Sequence, residues 1–183
     1  IEFCKYDFTN KKKTSLSNYY EDNVQVIKAR DMSYDYSTQA MYALVEYSKD
    51  NYYDQFLARV ELTKGKAIDS IRMDPCYALA SSYDGKLYGI TTLGNLVEIS
   101  KETGKQKVVV ETGIYIDTRN RQSMEFDHTD GSLYWACYTE KHEGRLIRFN
   151  LEDHTFADLG TLGGNAQMVG LYIPFVRNNL DSP

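Results

Sequence analysis

Apolar and polar residues alternate along this chain in short runs, beginning with Ile1-Glu2-Phe3-Cys4-Lys5-Tyr6. A period of two turns one face of a strand to the core and the other to solvent. No stretch sustains the 3.6-residue period of an amphipathic helix, so helices should be scarce. The runs also recur at a fixed distance. A Leu/Met-Tyr pair stands at Met41-Tyr42, again at Leu87-Tyr88 and again at Leu133-Tyr134, 46 residues apart each time. Each pair follows an alternating stretch and a turn, and two of these turns, Tyr83-Asp84-Gly85 and Thr129-Asp130-Gly131, carry the Asp-Gly signal of a tight hairpin. Downstream, each unit carries a second hairpin, turning at Thr63-Lys64-Gly65, Glu102-Thr103-Gly104 and Glu152-Asp153-His154.

Four short antiparallel strands in each unit of roughly 40–50 residues is the pattern of a β-propeller blade. A lone blade has two apolar faces and must stack on neighbours to bury them. A β-sandwich would also show short strands, but nothing in it calls for Leu-Tyr at a constant offset. The expected fold is therefore all-β: a β-propeller over residues 1–175, with about four blades in this chain, either a minimal ring or a fragment of a larger one. Its parts would be a partial blade at 1–17, blades at 31–72, 77–111 and 122–160, and a closing strand at 165–175, with 176–183 as a linker stub. The ring closes if that last strand completes the blade begun at the N-terminus. An incomplete ring would be finished by further chain or by a partner, which makes self-association possible.

The segment Arg121-Gln122-Ser123-Met124-Glu125-Phe126-Asp127-His128-Thr129-Asp130-Gly131-Ser132-Leu133-Tyr134-Trp135-Ala136 resembles blades of secreted or cell-surface β-propeller repeat proteins of Gram-negative anaerobes. Val169-Gly170-Leu171-Tyr172-Ile173-Pro174-Phe175 is similar to the closing segment of those propellers, which immunoglobulin-like or fibronectin type III-like modules often follow. The resemblance spans residues 31 to 175. It implies a propeller fold and a secreted or cell-surface binding module handling glycans or proteins, in a family that is largely uncharacterised. The Trp-Asp dipeptide of eukaryotic WD40 scaffolds is absent.

Composition narrows the function classes. The chain has 183 residues and a net charge of −5, which argues against nucleic acid as a partner. No run of 18 or more apolar residues occurs, so insertion in a membrane as a helix is not expected. Cys4, Cys76 and Cys137 have no metal-ligand spacing, and Cys4 and Cys137 read as buried, inert thiols. Gly160-Thr161-Leu162-Gly163-Gly164 lacks the lysine of a phosphate loop, and Asp127 to Gly131 lacks the carboxylate spacing of a calcium loop. His128 and His154 fall in turns at one end of the blades and His142 in a loop at the other, so no shared zinc site is expected. No cofactor is implied.

Function should sit on the loops that join the fourth strand of one blade to the first of the next, and the second strand to the third. These open on one face, around the channel mouth. Tyr19, Tyr20, Tyr52, Tyr53, Asp54, Tyr115, Asp117, Arg119 and Arg121 gather there in the sequence reading. Aromatic faces stack on the apolar face of a sugar ring, while acids, amides and arginine meet its hydroxyls; the same set also builds protein interfaces. Arg30, Cys76 and Gln122, related by the 46-residue offset, should lie near the same mouth, lining a ligand pocket or a water-filled channel. The leading expectation is a non-catalytic binding module for a glycan or protein. The alternatives are a propeller-type lyase or hydrolase using carboxylates such as Asp22, Asp54 and Asp117, and a structural spacer.

Overall fold

The computed structural model of the chain describes residues 2–18, 20–21, 24–49, 52–63 and 66–174. The stub expected at 176–183 lies outside them. Strands β1 (Glu2–Asp7) and β2 (Lys12–Asn18) form a two-stranded sheet. A first large sheet holds β3 (Tyr20–Glu21), β4 (Val24–Asp35), β5 (Ala40–Lys49), β6 (Tyr52–Glu61) and β7 (Lys66–Met73). A second holds β8 (Cys76–Ser81), β9 (Leu87–Thr91), β10 (Leu96–Ile99) and β11 (Gln106–Val110). The third holds β12 (Ser123–Asp127), β13 (Ser132–Tyr138), β14 (Gly144–Asn150) and β15 (Thr155–Thr161). In each large sheet the strands pair antiparallel in chain order, and β4, β8 and β12 lie side by side. The chain is all-β, with one five-stranded and two four-stranded sheets packed in a propeller-like arrangement.

The turns explain why the hairpins close where they do. After β4, β8 and β12 the backbone passes through a left-handed residue, at Gln39 (φ 53°), Gly85 (φ 85°) and Gly131 (φ 78°). In the middle sheet, Gly85 N–H donates to the Ser82 carbonyl at 3.0 Å and Ser82 N–H to the Lys86 carbonyl at 2.9 Å. This is a three-residue loop, Tyr83 to Gly85, built on a β-turn and ending in a left-handed glycine, one residue longer than the two-residue turn that Asp-Gly most often makes.

Stacking of the sheet faces provides the core. Leu44, Leu57 and Met73 of the first sheet bury Leu79, Leu87 and Val97 of the second. Across its other face, Ala80, Ile90 and Leu96 pack on Phe126, Leu133, Trp135 and Ile147 of the third sheet. Trp135 is fully buried and stacks on Phe149, ring centroids 6.1 Å apart. Each large apolar side chain so buried contributes about 1.5–3 kcal/mol. Polar bonds between neighbouring first strands, at about 1 kcal/mol apiece, set register more than stability. Leu79 N–H donates to Asp31 Oδ2 at 2.9 Å and Ser81 N–H to Ser33 Oγ at 2.8 Å, each across 48 residues.

Leu171 N–H donates to Ser123 Oγ at 2.8 Å, again across 48 residues. Leu171 therefore stands against the third sheet as Leu79 stands against the first. The sequence reading expected a strand at 165–175; through residue 174 the structure has instead a short 3-10 turn, Gly163–Asn165, followed by backbone in no strand. A strand needs a ladder partner, and β1 pairs with β2 alone among the described residues, so the N-terminal hairpin does not take this segment in. Two further expectations change. β4 begins at Val24, well before residue 31, and Cys4 is exposed because its hairpin belongs to none of the large sheets.

Asp35, fully buried at the end of β4, builds the turn that follows. Its carboxylate accepts from Ser37 N–H (2.9 Å), Ser37 Oγ (2.7 Å), Thr38 Oγ1 (2.6 Å) and, from the second sheet, Lys101 Nζ (2.7 Å). Burial works to raise its pKa, but Lys101, Thr38 and Ser37 outweigh it and hold the group at about 2 against an ordinary 3.8. A depressed carboxyl contributes stability that is present above about pH 4 and lost as pH falls towards 2. Lys101→Met should therefore destabilise the protein at pH 7 and move its acid unfolding to higher pH, followed by circular dichroism. An unmoved acid midpoint would remove Asp35–Lys101 from the account.

Gly85 and Gly131 occupy the same turn position but differ in what surrounds them. A Cβ on Gly85 would run into Ser37 Oγ, whereas one on Gly131 meets nothing within 4 Å. Gly131→Ala should cost about 1 kcal/mol, the left-handed penalty alone. Gly85→Ala should cost roughly 1–3 kcal/mol more in urea denaturation, because the turn of the first sheet must move aside.

Candidate functional site

Residues 111–122, which lead from β11 to β12, lie across the loop ends of two sheets. On the second sheet, Thr112 Oγ1 donates to the Gly94 carbonyl at 2.8 Å and Thr112 N–H to Asn95 Oδ1 at 3.3 Å. Gly94 has φ 74°, and a Cβ there would strike the Ile114 carbonyl, so this close approach requires glycine. On the third sheet, Ile116 bridges Thr139, Asp117 N–H donates to the Tyr138 carbonyl at 3.1 Å, and Glu140 N–H donates to the Tyr115 carbonyl at 3.0 Å. The segment is thereby tied to both neighbours. A hollow of about 230 Å³ opens beside it, lined by Gly113, Tyr115, Thr139, Lys141, Glu143 and Arg145 among others. Tyr115 stands 57% exposed at its edge.

Asp117 and Arg119 come together, chiefly with each other. Asp117 accepts from Arg119 Nε at 3.1 Å, Arg119 Nη2 at 3.0 Å, Arg119 N–H at 3.0 Å and Asn120 Nδ2 at 2.9 Å. The Arg119 hydrogen bond, against a smaller opposing effect of burial, holds the carboxyl well below the usual carboxylate range. His142 Nδ1 lies 3.6 Å from Asp117 Oδ2. Arg121 is exposed, with its carbonyl taking Gln167 Nε2 at 3.2 Å.

Asp54 lies elsewhere. It is on β6, paired with Arg72 Nη2 at 2.7 Å, in a separate cleft of about 460 Å³ that shares no lining residue with the Tyr115 hollow. Tyr52 and Tyr53 are strand residues, not loop residues, because β5 and β6 stay paired out to Lys49↔Tyr52. Tyr20 likewise falls in the short strand β3. Tyr19, Asp22 and the side chains of Tyr20, Tyr52 and Tyr53 lie outside the described residues.

Arg30, Cys76 and Gln122 hold the scaffold. A register shift between Ala29 and Met32 marks a β-bulge at Arg30 and Asp31, and another falls between Cys76 and Leu79. Bulges re-aim side chains. Here Arg30 pairs with Glu46 at 2.5 Å, donates to the Thr118 carbonyl at 2.9 Å and lies 4.8 Å from the centre of the Tyr77 ring. Gln122 binds both the N–H and the carbonyl of Tyr138, at 2.8 and 3.0 Å. Gln55, which the sequence reading passed over, does the same for Cys76 at 2.6 and 2.8 Å. Each amide completes a ladder that the backbone leaves open. Burial pushes both the Cys76 and Cys137 thiols up to about 12, so neither is reactive. No group of three metal-ligating side chains occurs among the described residues.

The opposite end of the sheets carries aromatic residues that the sequence reading did not single out as a group. Tyr36, Tyr83 and His128, one from each large sheet, meet with ring centroids 5.1 to 6.3 Å apart. Their signal was present: Tyr36 and His128 occupy the same place in units two repeats apart, and Tyr83 falls one residue beyond that place in the unit between them.

Asp31 responds to its surroundings differently from Asp117. Burial, with Glu125 nearby, raises it from 3.8 to about 7 against the Leu79 and Met32 N–H bonds and the Arg121 charge. A raised carboxyl contributes stability that is complete below its unfolded pKa and lost as pH rises through the folded one. Asp31→Asn keeps an acceptor for Leu79 N–H. It should match the native chain near pH 4 and exceed it increasingly up to about pH 7, with a constant gap above, in urea midpoints measured across that range. A gap independent of pH would contradict the assignment.

No protein-family model matches the chain, and no curated protein sequence matches it. Among solved structures it is similar to an auxiliary nutrient binding protein from Bacteroides ovatus, with a TM-score of 0.54 at 14% identity over 85% of this chain. A second auxiliary nutrient binding protein, from Bacteroides thetaiotaomicron, gives 0.52 at 13% identity over 88% of this chain. The chain spans about a third of the length of either, 35% and 37% respectively. At these identities the likeness shows the fold alone.

Proposed function

We propose that the chain is a non-catalytic binding module of a secreted or surface-anchored bacterial protein, taking a neutral, hydroxyl-rich ligand of the glycan class on the loop face. The observation that carries this reading is the Tyr115 hollow. A half-exposed aromatic ring stands over a concave surface whose polar groups are already organised: Arg145 holds Glu143 at 3.4 Å and Asp158 at 2.5 Å. Such a surface offers a stacking face and fixed hydrogen-bonding groups with little net charge. Arg121 adds an exposed donor on the same segment. The paired ends of β5 and β6, Lys49↔Tyr52 and Ser48↔Tyr53, belong to the same end of the sheets by strand direction. The description of the two Bacteroides proteins as nutrient binding supports the choice of a binding role.

The lyase or hydrolase alternative has less support. A general acid or base needs a pKa near the working pH. Asp117 is held far below it by Arg119, and Asp54 is committed to Arg72 in a different cleft. On a glycan array, Tyr115→Ala should lose about tenfold in affinity for at least one of the glycans the native chain retains, the scale of one lost aromatic stacking contact. Unchanged retention of every glycan would sink the loop-face reading.

A further inference from the structure

A second concave surface lies at the other end of the sheets, where the first-to-second and third-to-fourth strand turns emerge. It is a groove of about 610 Å³ between the second and third sheets, within the range of ordinary ligand sites. Its inner end is at the turns after β8 and β12, and its outer end is at the turn between β14 and β15. Aromatic rings form one wall. Phe126 and His128 lie nearly parallel with centroids 6.0 Å apart, Tyr88 stands 5.6 Å from Phe126, and Tyr83 stands 6.2 Å from His128. Tyr83 is 55% exposed, and Val108 on the facing strand is 50% exposed.

The remaining lining selects the ligand class. Lys86 and Lys107 stand with Asp84, Glu98 and Glu152, so neither an anion nor a cation meets a field of one sign. A purely apolar chain would strip water from those charges without replacing it, at a cost of several kcal/mol for each charge left unpaired. Burial pushes the Tyr88 phenol up to about 12 and lowers the His128 imidazole, so both rings are uncharged at neutral pH. Uncharged rings on one side and hydrogen-bonding groups of both kinds on the other match a pyranose, which has an apolar face and a hydroxyl-bearing edge. The groove spans from inner to outer turns, which suits a chain of such units.

We propose that this groove is a second ligand site, separate from the loop face, that binds a neutral oligosaccharide chain stacked on Tyr83 and His128. The test is calorimetric titration of the native chain, Tyr83→Ala, Val108→Asp and Tyr115→Ala with four probes: maltohexaose, cellohexaose, mannohexaose and xylohexaose. Tyr83 and Val108 are exposed enough that both groove variants should fold, which a thermal melt verifies. The expected result is binding of at least one probe that weakens about tenfold or more in Tyr83→Ala and Val108→Asp and persists in Tyr115→Ala. Absence of binding by every probe up to about 10 mM overturns the proposal. Binding insensitive to both groove variants overturns it too, and if Tyr115→Ala alone abolishes that binding, the loop-face reading stands without it. Equal loss in all three folded variants also overturns it, because two sites at opposite ends of the sheets cannot share one contact.

Discussion

Everything in this structure depends on the burial of sheet faces against one another. The middle sheet is apolar on both sides: Leu79, Leu87 and Val97 face the first sheet, while Ala80, Ile90 and Leu96 face Trp135 and Ile147 of the third. A four-stranded sheet of that kind has no stable existence alone, since either bare face would be an exposed apolar patch. Stacking removes both faces from water and leaves only the two ends of the strands to carry anything other than packing. That constraint is why the molecule's chemistry is divided between a loop end and a turn end.

Polar groups inside the stack refine what burial begins. Asp31, Ser33 and Ser123 each take a backbone N–H from the segment 48 residues further on, which holds β4 and β8 in one register and fixes Leu171 against β12. Gln55 and Gln122 replace missing ladder partners. Asp35 joins its own turn to Lys101 of the next sheet. A buried carboxylate is tolerable when its oxygens are filled, as those of Asp35 are. Asp31 has fewer donors, and its raised pKa records the difference.

The two ends then diverge in character. At the loop end, residues 111–122 are pinned to both neighbouring sheets, and Asp117 and Arg119 are consumed in making the loop rigid. Tyr115 is left exposed by that arrangement. At the turn end, short hairpins bring rings from three sheets into contact, and the space between two of the sheets is wider and more aromatic. Rigid scaffolds commonly present ligand sites on such connections.

The fold class was legible from residue order because period-two alternation and turn chemistry are local. Met41-Tyr42, Leu87-Tyr88 and Leu133-Tyr134 open or lie within β5, β9 and β13, and Gly85 and Gly131 take the left-handed backbone their hairpins require. Site membership was less legible. Tyr115, Asp117 and Arg119 were placed on one loop correctly, but that Asp117 would be spent on Arg119 depends on the geometry of a four-residue turn. Tyr52 and Tyr53 read as loop residues because polar neighbours mask a hairpin that pairs almost to its tip. Residues 167–173 read as an apolar strand, yet a strand is a property of two chains of backbone, and no described strand pairs with this one. Composition and spacing could decide which residues face a core. Only the tertiary structure could decide which polar groups meet across sheets, because such contacts join residues dozens of positions apart whose side chains carry no mark of one another.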